Sequence, residues 1–192
     1  CNIPVIASGG AGKIEDFSEV FEKTGLIYRL DKFIWELAIQ KLAEWQKNGR
    51  NDLYISVNIS TKDFYYMDIY KTITSLVEKY NIIPATLKLE ITETAIMTGM
   101  ANELDIINKF RQYGFQIEID DFGSGYSSLN TLKDMDVDVI KIDMGFLSST
   151  APNRLERSMS ILNTIIALTK TLGLSVITEG VETKEQVSRL TQ

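Results

Sequence analysis

Short β-rich apolar runs alternate with longer amphipathic stretches along this chain, and that rhythm restricts its fold more than any other feature. The runs are Ile3 to Ala7, Leu53 to Asn58, Thr86 to Thr92, Phe115 to Asp120, Asp138 to Asp143 and Leu174 to Glu179. Between them apolar residues recur at helical spacing: Ile34, Leu37, Ala38, Leu42 and Trp45 along Asp31 to Gln46, and Ile161, Leu162, Ile165, Ile166, Leu168 and Leu172 along a later stretch. Strand and helix in repetition point to an α/β fold with parallel strands.

Parity within the runs narrows the class. Leu53, Ile55 and Val57 alternate with Tyr54, Ser56 and Asn58, and Leu87, Leu89 and Ile91 with Lys88, Glu90 and Thr92. Phe115, Ile117 and Ile119 alternate with Gln116, Glu118 and Asp120, and Ile140 and Ile142 with Lys141 and Asp143. Strand side chains point to opposite faces in turn, so each strand has one apolar face and one that turns polar toward its C-terminal end. A doubly wound sheet buries both faces and favours continuous apolar strands, whereas a TIM-like (β/α) barrel gathers polar strand ends at one mouth. The expectation is such a barrel, with about six recognisable strands and with Asn58, Glu90, Asp120, Lys141 and Glu179 converging where barrels keep their active sites. No shift in composition marks an internal boundary, and 192 residues suit one globular unit.

Composition then limits the chemistry. With no histidine and one cysteine, Cys1, imidazole-driven hydrolysis, histidine-ligated zinc and an internal disulfide are all excluded. What remains is oxygen chemistry. Asn58, Glu90 and Asp120 are hard donors suited to Mg²⁺ or Mn²⁺, with Ca²⁺ as a further fit, and Asp121 could serve a second ion. Lys141 could stabilise phosphate charge, or orient and deprotonate a water held by Glu179. A net charge of −6 opposes binding to long nucleic acid. The sequence has no apolar run long enough for a membrane span, and its lone cysteine fits a reducing compartment, so the expected location is cytoplasmic.

The segments Ser56-Val57-Asn58-Ile59-Ser60, Leu89-Glu90-Ile91-Thr92-Glu93, Asp120-Asp121-Phe122-Gly123-Ser124-Gly125-Tyr126-Ser127-Ser128-Leu129, Lys141-Ile142-Asp143 and Glu179-Gly180-Val181-Glu182-Thr183 resemble the EAL domain family, from about Phe21 to Gln192. The resemblance implies hydrolysis of the bacterial second messenger cyclic di-GMP to linear pGpG on a modified TIM barrel with Mg²⁺ or Mn²⁺. It further implies that Asn58, Glu90 and Asp120 are metal ligands, that Asp121 serves a second ion, that Lys141 contacts the hydrolytic water and that Glu179 completes its surroundings. Glu93 matches a residue that anchors the loop after the Asp-Asp pair, a loop associated with dimerisation and regulation.

Two features depart from that pattern. The family's Glu-Ala-Leu strand, with its metal-binding glutamate and substrate-holding arginine, is not among these residues; the similar letters Glu36-Leu37-Ala38 lie in a helical stretch. The last strand and its Gln-Gly motif are absent too, in an architecture that typically takes about 250 residues. At the other end, Asn2 to Phe17 resembles a late β-α unit of the cyclase subunit of imidazole glycerol phosphate synthase, another TIM barrel, which makes Gly10 and Gly12 weak candidates for phosphate binding. The expected organisation is a chimera: a grafted unit over residues 1–20 and an EAL-like barrel over 21–192. The expected function is metal-dependent cyclic di-GMP hydrolysis with impaired activity. The alternatives are an inactive cyclic-dinucleotide-binding or interaction module and an engineered scaffold without biological activity. An exposed sheet edge would favour pairing into a homodimer.

Overall fold

The computed structural model describes residues 27–98, 101–123, 137–142, 152–181, 184 and 187. The expected strand Ile3 to Ala7, the turn with Gly10 and Gly12, Ser124 and Asp143 lie outside the described residues. The chain divides into two compact units, Cys1–Ile91 with Thr98–Ile117, and Thr92–Met97 with Glu118–Gln192. This differs from the single unit expected from composition. The divisions after Ile91 and Ile117 fall inside strands rather than linkers, so no change in composition announces them.

In the first unit helix α1 (Ile27–Lys47) precedes strand β1 (Ile55–Ile59), helices α2 (Thr61–Tyr66) and α3 (Ile69–Tyr80) and strand β2 (Leu87–Thr92); helix α4 (Glu93–Thr98) belongs almost wholly to the second unit, and helix α5 (Ala101–Tyr113) to the first. β1 and β2 are parallel, from Ile55 opposite Leu87 to Ile59 opposite Ile91, and α2 and α3 supply the crossover that parallel pairing requires. Pairing starts at Ile55, which leaves Leu53 and Tyr54 ahead of the strand. Ile55, Val57 and Ile59 are buried and Asn58 is exposed, in the predicted parity. In β2 every residue from Leu87 to Ile91 is buried, Lys88 and Glu90 included, so its polar face is enclosed rather than wet. The Lys88 ammonium sits 3.7 Å from the Tyr54 ring centroid, which offsets part of its desolvation.

α1 corrects the expected stripe. Its buried residues are Trp35, Ile39, Leu42 and Ala43, whereas Ile34 and Leu37 are 46% and 48% exposed. Two apolar stripes overlap in this sequence, and the one carrying Trp35 faces inward. Burying a side chain of Leu or Ile size contributes about 2 kcal/mol, and the indole Nε1–H of Trp35 donates to the Asn58 main-chain carbonyl at 3.1 Å, so its polar atom is not orphaned. A capping box starts α2: Ser60 Oγ accepts from the Lys62 N–H and Asp63 accepts from the Ser60 N–H. α3 buries Ile69, Ile73, Leu76 and Val77 and ends on Asn81 in the left-handed region. Phe110 of α5 joins Tyr70, Tyr113 and Phe115 in an aromatic cluster with centroids 5.3 to 6.3 Å apart.

The second unit holds most of strand β3 (Gln116–Phe122), then strand β4 (Val139–Ile142), helix α6 (Pro152–Thr171) and strand β5 (Ser175–Thr178). β3 pairs with β4, and β4 with β5, all parallel. β3 runs past its expected end at Asp120 because it bulges: Ile119 pairs with Ile140 and Phe122 with Ile142, so β3 holds one extra residue between those pairs. Within the bulge Asp121 takes φ 55°, a left-handed conformation uncommon for a residue other than glycine. Of the expected α6 stripe Leu162 is fully buried, whereas Ile161 and Leu172 are 51% and 45% exposed, because β5, against which α6 packs, is itself only partly covered. Among the described residues no helix is long and apolar enough to cross a membrane.

Candidate active site

The first unit brings together Asn58 and Glu90. They are direct partners in the β1–β2 register, one exposed near the end of its strand and the other buried. Trp35 holds the Asn58 main chain from α1. Sequence reading assigned Trp35 no such part; the available signal was that an indole N–H within a buried stripe needs an acceptor.

The second unit brings together Asp120, Lys141 and Glu179. The Lys141 side chain is only 5% exposed, and its Nζ lies 2.5 Å from Glu179 Oε1 and 3.5 Å from Asp120 Oδ1. Backbone geometry places the glutamate: the Glu179 N–H donates to the Ile142 carbonyl at 3.0 Å, continuing the β4–β5 ladder beyond Thr178, and Gly180 at φ 64° then turns the chain. A lysine this buried needs such partners, since an isolated ammonium would bear a large desolvation cost. Asp120 Oδ1 also accepts the Asp121 N–H at 3.0 Å, while the bulge leaves Asp121 itself exposed. At the first position of α4, Glu93 is 3% exposed, and its Oε2 accepts the Gly123 N–H at 2.8 Å, directly after Asp-Asp-Phe.

As donors, the Asn58 amide oxygen and the carboxylates of Glu90, Asp120 and Asp121 are hard ligands that fit a divalent cation of the Mg²⁺ or Mn²⁺ kind. Each unit carries part of this set, and among the described residues no three His, Cys, Asp or Glu side chains form a metal-binding group. Lys141 is suited to donating a hydrogen bond to a phosphate oxygen or a water, and Glu179, 38% exposed at its side chain, to accepting one.

The EAL domain family model matches residues 6–192. The chain is 34% identical over 176 residues to the bifunctional diguanylate cyclase/cyclic di-GMP phosphodiesterase MucR of Pseudomonas aeruginosa, covering 92% of this chain and 25% of that protein. It is 32% identical to the cyclic di-GMP phosphodiesterase PdeR of Escherichia coli, covering 92% and 26%. The chain thus spans about a quarter of the length of these curated relatives. Among solved structures it is similar to the PaMucR phosphodiesterase in complex with c-di-GMP, with a TM-score of 0.84 and 34% identity over 93% of this chain and 71% of that one. It is also similar to the EAL enzyme Bd1971 in its cAMP- and cyclic-di-GMP-bound form, with a TM-score of 0.79 and 30% identity over 91% and 48%. Parallel strand–helix units, polar residues at their strand ends and a family match over nearly the whole length lead to one assignment: the chain belongs to the EAL domain family, whose fold is a TIM-like (β/α) barrel.

Proposed function

We propose that this chain is a cyclic di-GMP phosphodiesterase domain that opens the cyclic dinucleotide to linear pGpG. The observation that carries the reading is the buried Lys141 ammonium, held between Asp120 and Glu179 on neighbouring strands of a chain whose relatives include named cyclic di-GMP phosphodiesterases. Phosphodiesterases of this family depend on a divalent metal. We assign its binding to Asn58, Glu90 and Asp120, with Asp121 toward a second ion and Mg²⁺ or Mn²⁺ as the cation. Bound there, the ion would supply Lewis acidity to the scissile phosphodiester. Lys141 orients the attacking water through its N–H groups, Glu179 accepts a hydrogen bond from that water, and Glu93 fixes the backbone after the Asp-Asp pair through the Gly123 N–H. A cytoplasmic location and pairing into a homodimer belong to the same reading.

The test is incubation with cyclic di-GMP and Mn²⁺, following bound nucleotide and released pGpG by chromatography. Product from the wild type and none from Glu90→Ala supports the enzyme. Tight binding without product makes the chain a silent cyclic-dinucleotide-binding module, and neither binding nor product overturns both readings.

A further inference from the structure

Among the described residues, Asp63 is a buried acid to which the proposed chemistry gives no task. Asp63, in the first turn of α2, is 0% exposed. Its Oδ2 accepts the Ser60 N–H at 2.8 Å and completes the capping box. Its Oδ1 is shut away from solvent and has no hydrogen-bond donor among the described residues. The group paired with it is another carboxyl, Asp31 of α1, itself partly buried. Of the nearby charged groups of α1, the Arg29 Nε–H donates to the Tyr28 hydroxyl at 3.3 Å and Lys32 is exposed to solvent. On α2 the neighbouring Lys62 gives its backbone N–H to Ser60 Oγ. Two neighbouring carboxyl groups, one of them shut away from water, do not both ionise; one keeps its proton and donates it to the other.

We propose that Asp31 and Asp63 share a single proton, and that this acid–carboxylate hydrogen bond clasps α1 to the start of α2 and opens when the proton leaves. Burial, aided by the Asp31 carboxylate and opposed by the hydrogen bond from Ser60, pushes Asp63 up to about 7, and burial raises Asp31 as well. The pair titrates as one system. Its sign is fixed by linkage. The folded chain keeps a proton that the unfolded chain releases near pH 4, so stability is fully present below about pH 4 and declines as pH rises through about 7. A chain without histidine has no side chain whose unperturbed pKa lies near neutrality, which makes such a titration stand out. Since α2 follows β1 directly, the clasp also bears on how that strand end is held. Nothing in the proposal depends on catalysis.

Thermal unfolding of the full chain at about pH 5 and about pH 8.5 tests it. The wild type is expected to melt about 5 °C lower at the higher pH. Asp63→Asn keeps an oxygen for the Ser60 N–H and offers Asp31 a permanent N–H, so its melting difference should shrink to about 1 °C and it should outlast the wild type at the higher pH. Asp31→Asn supplies the donor from the other side and should flatten the dependence equally. Difference infrared spectra of the wild type should show a protonated carboxyl band that is lost between the two pH values, and this readout needs no variant to fold. The proposal is overturned if that band is missing at the lower pH, or if both variants keep the wild-type slope.

Discussion

α1 and α6 are helices of nearly equal length, 21 and 20 residues, each lying against a strand of parallel sheet, yet they are seated differently. α1 buries Trp35, Ile39, Leu42 and Ala43 and places an indole N–H on β1, whose Ile55, Val57 and Ile59 are all buried. Among its described residues α6 buries Leu162 and Thr169, and its strand β5 has no fully buried residue. β5 owes its alignment to polar contacts instead, the Glu179 N–H on the Ile142 carbonyl and the Glu179 carboxylate on Lys141. The same strand–helix pattern therefore seats one strand end by packing and another by electrostatics. Packing transmits volume changes steeply, while a partly exposed ion pair responds to charge and salt.

The sharpest way to break this contrast is at Lys141. Lys141→Met should lower kcat for cyclic di-GMP by about 10³-fold, because it removes the water-orienting donor together with the group that aligns Glu179; a pGpG assay reads it, and near wild-type turnover would refute the assignment. Next in size is Ile39→Ala on α1, which leaves a cavity at a position with 0% exposure and should cost about 3 kcal/mol in urea unfolding. Ser60→Ala, which removes the hydroxyl of the α2 capping box, should cost about 1 kcal/mol by the same measurement. Smallest is Ile161→Ala on α6, expected within about 0.5 kcal/mol of wild type because the side chain already lies half in water. Equal losses for Ile39→Ala and Ile161→Ala would erase the distinction between the two helices.

Much of the candidate site is legible because strand parity is a local signal. Asn58, Glu90 and Lys141 stand out as polar residues between apolar neighbours, and all three lie on strands paired in parallel register. The stripe of α1 is less legible, since Ile34 and Leu37 are as apolar as the residues that are buried, and only the facing strand decides between them. Ser60-Thr61-Lys62-Asp63 carries a recognisable capping signature, but the pairing of Asp63 with Asp31 joins distant parts of the chain and leaves no periodic trace. The enclosure of Lys88 and Glu90 is likewise tertiary: alternation shows which face is polar, not whether water reaches it.

The bulge in β3 has a further consequence for how Asp-Asp-Phe is understood. Ile119 and Phe122 both pair with residues of one face of β4, Ile140 and Ile142, and Asp121 is the surplus residue between them. Simple alternation without Asp121 would put the phenylalanine opposite Ile142 all the same. The second aspartate is thus an insertion that leaves the phase of the strand intact, a spare carboxylate added to an otherwise regular element. Shortening the strand by this one residue is for that reason a cleaner way to isolate its contribution than any side-chain replacement, because deletion removes the charge and the left-handed backbone together and returns β3 to a plain two-residue beat.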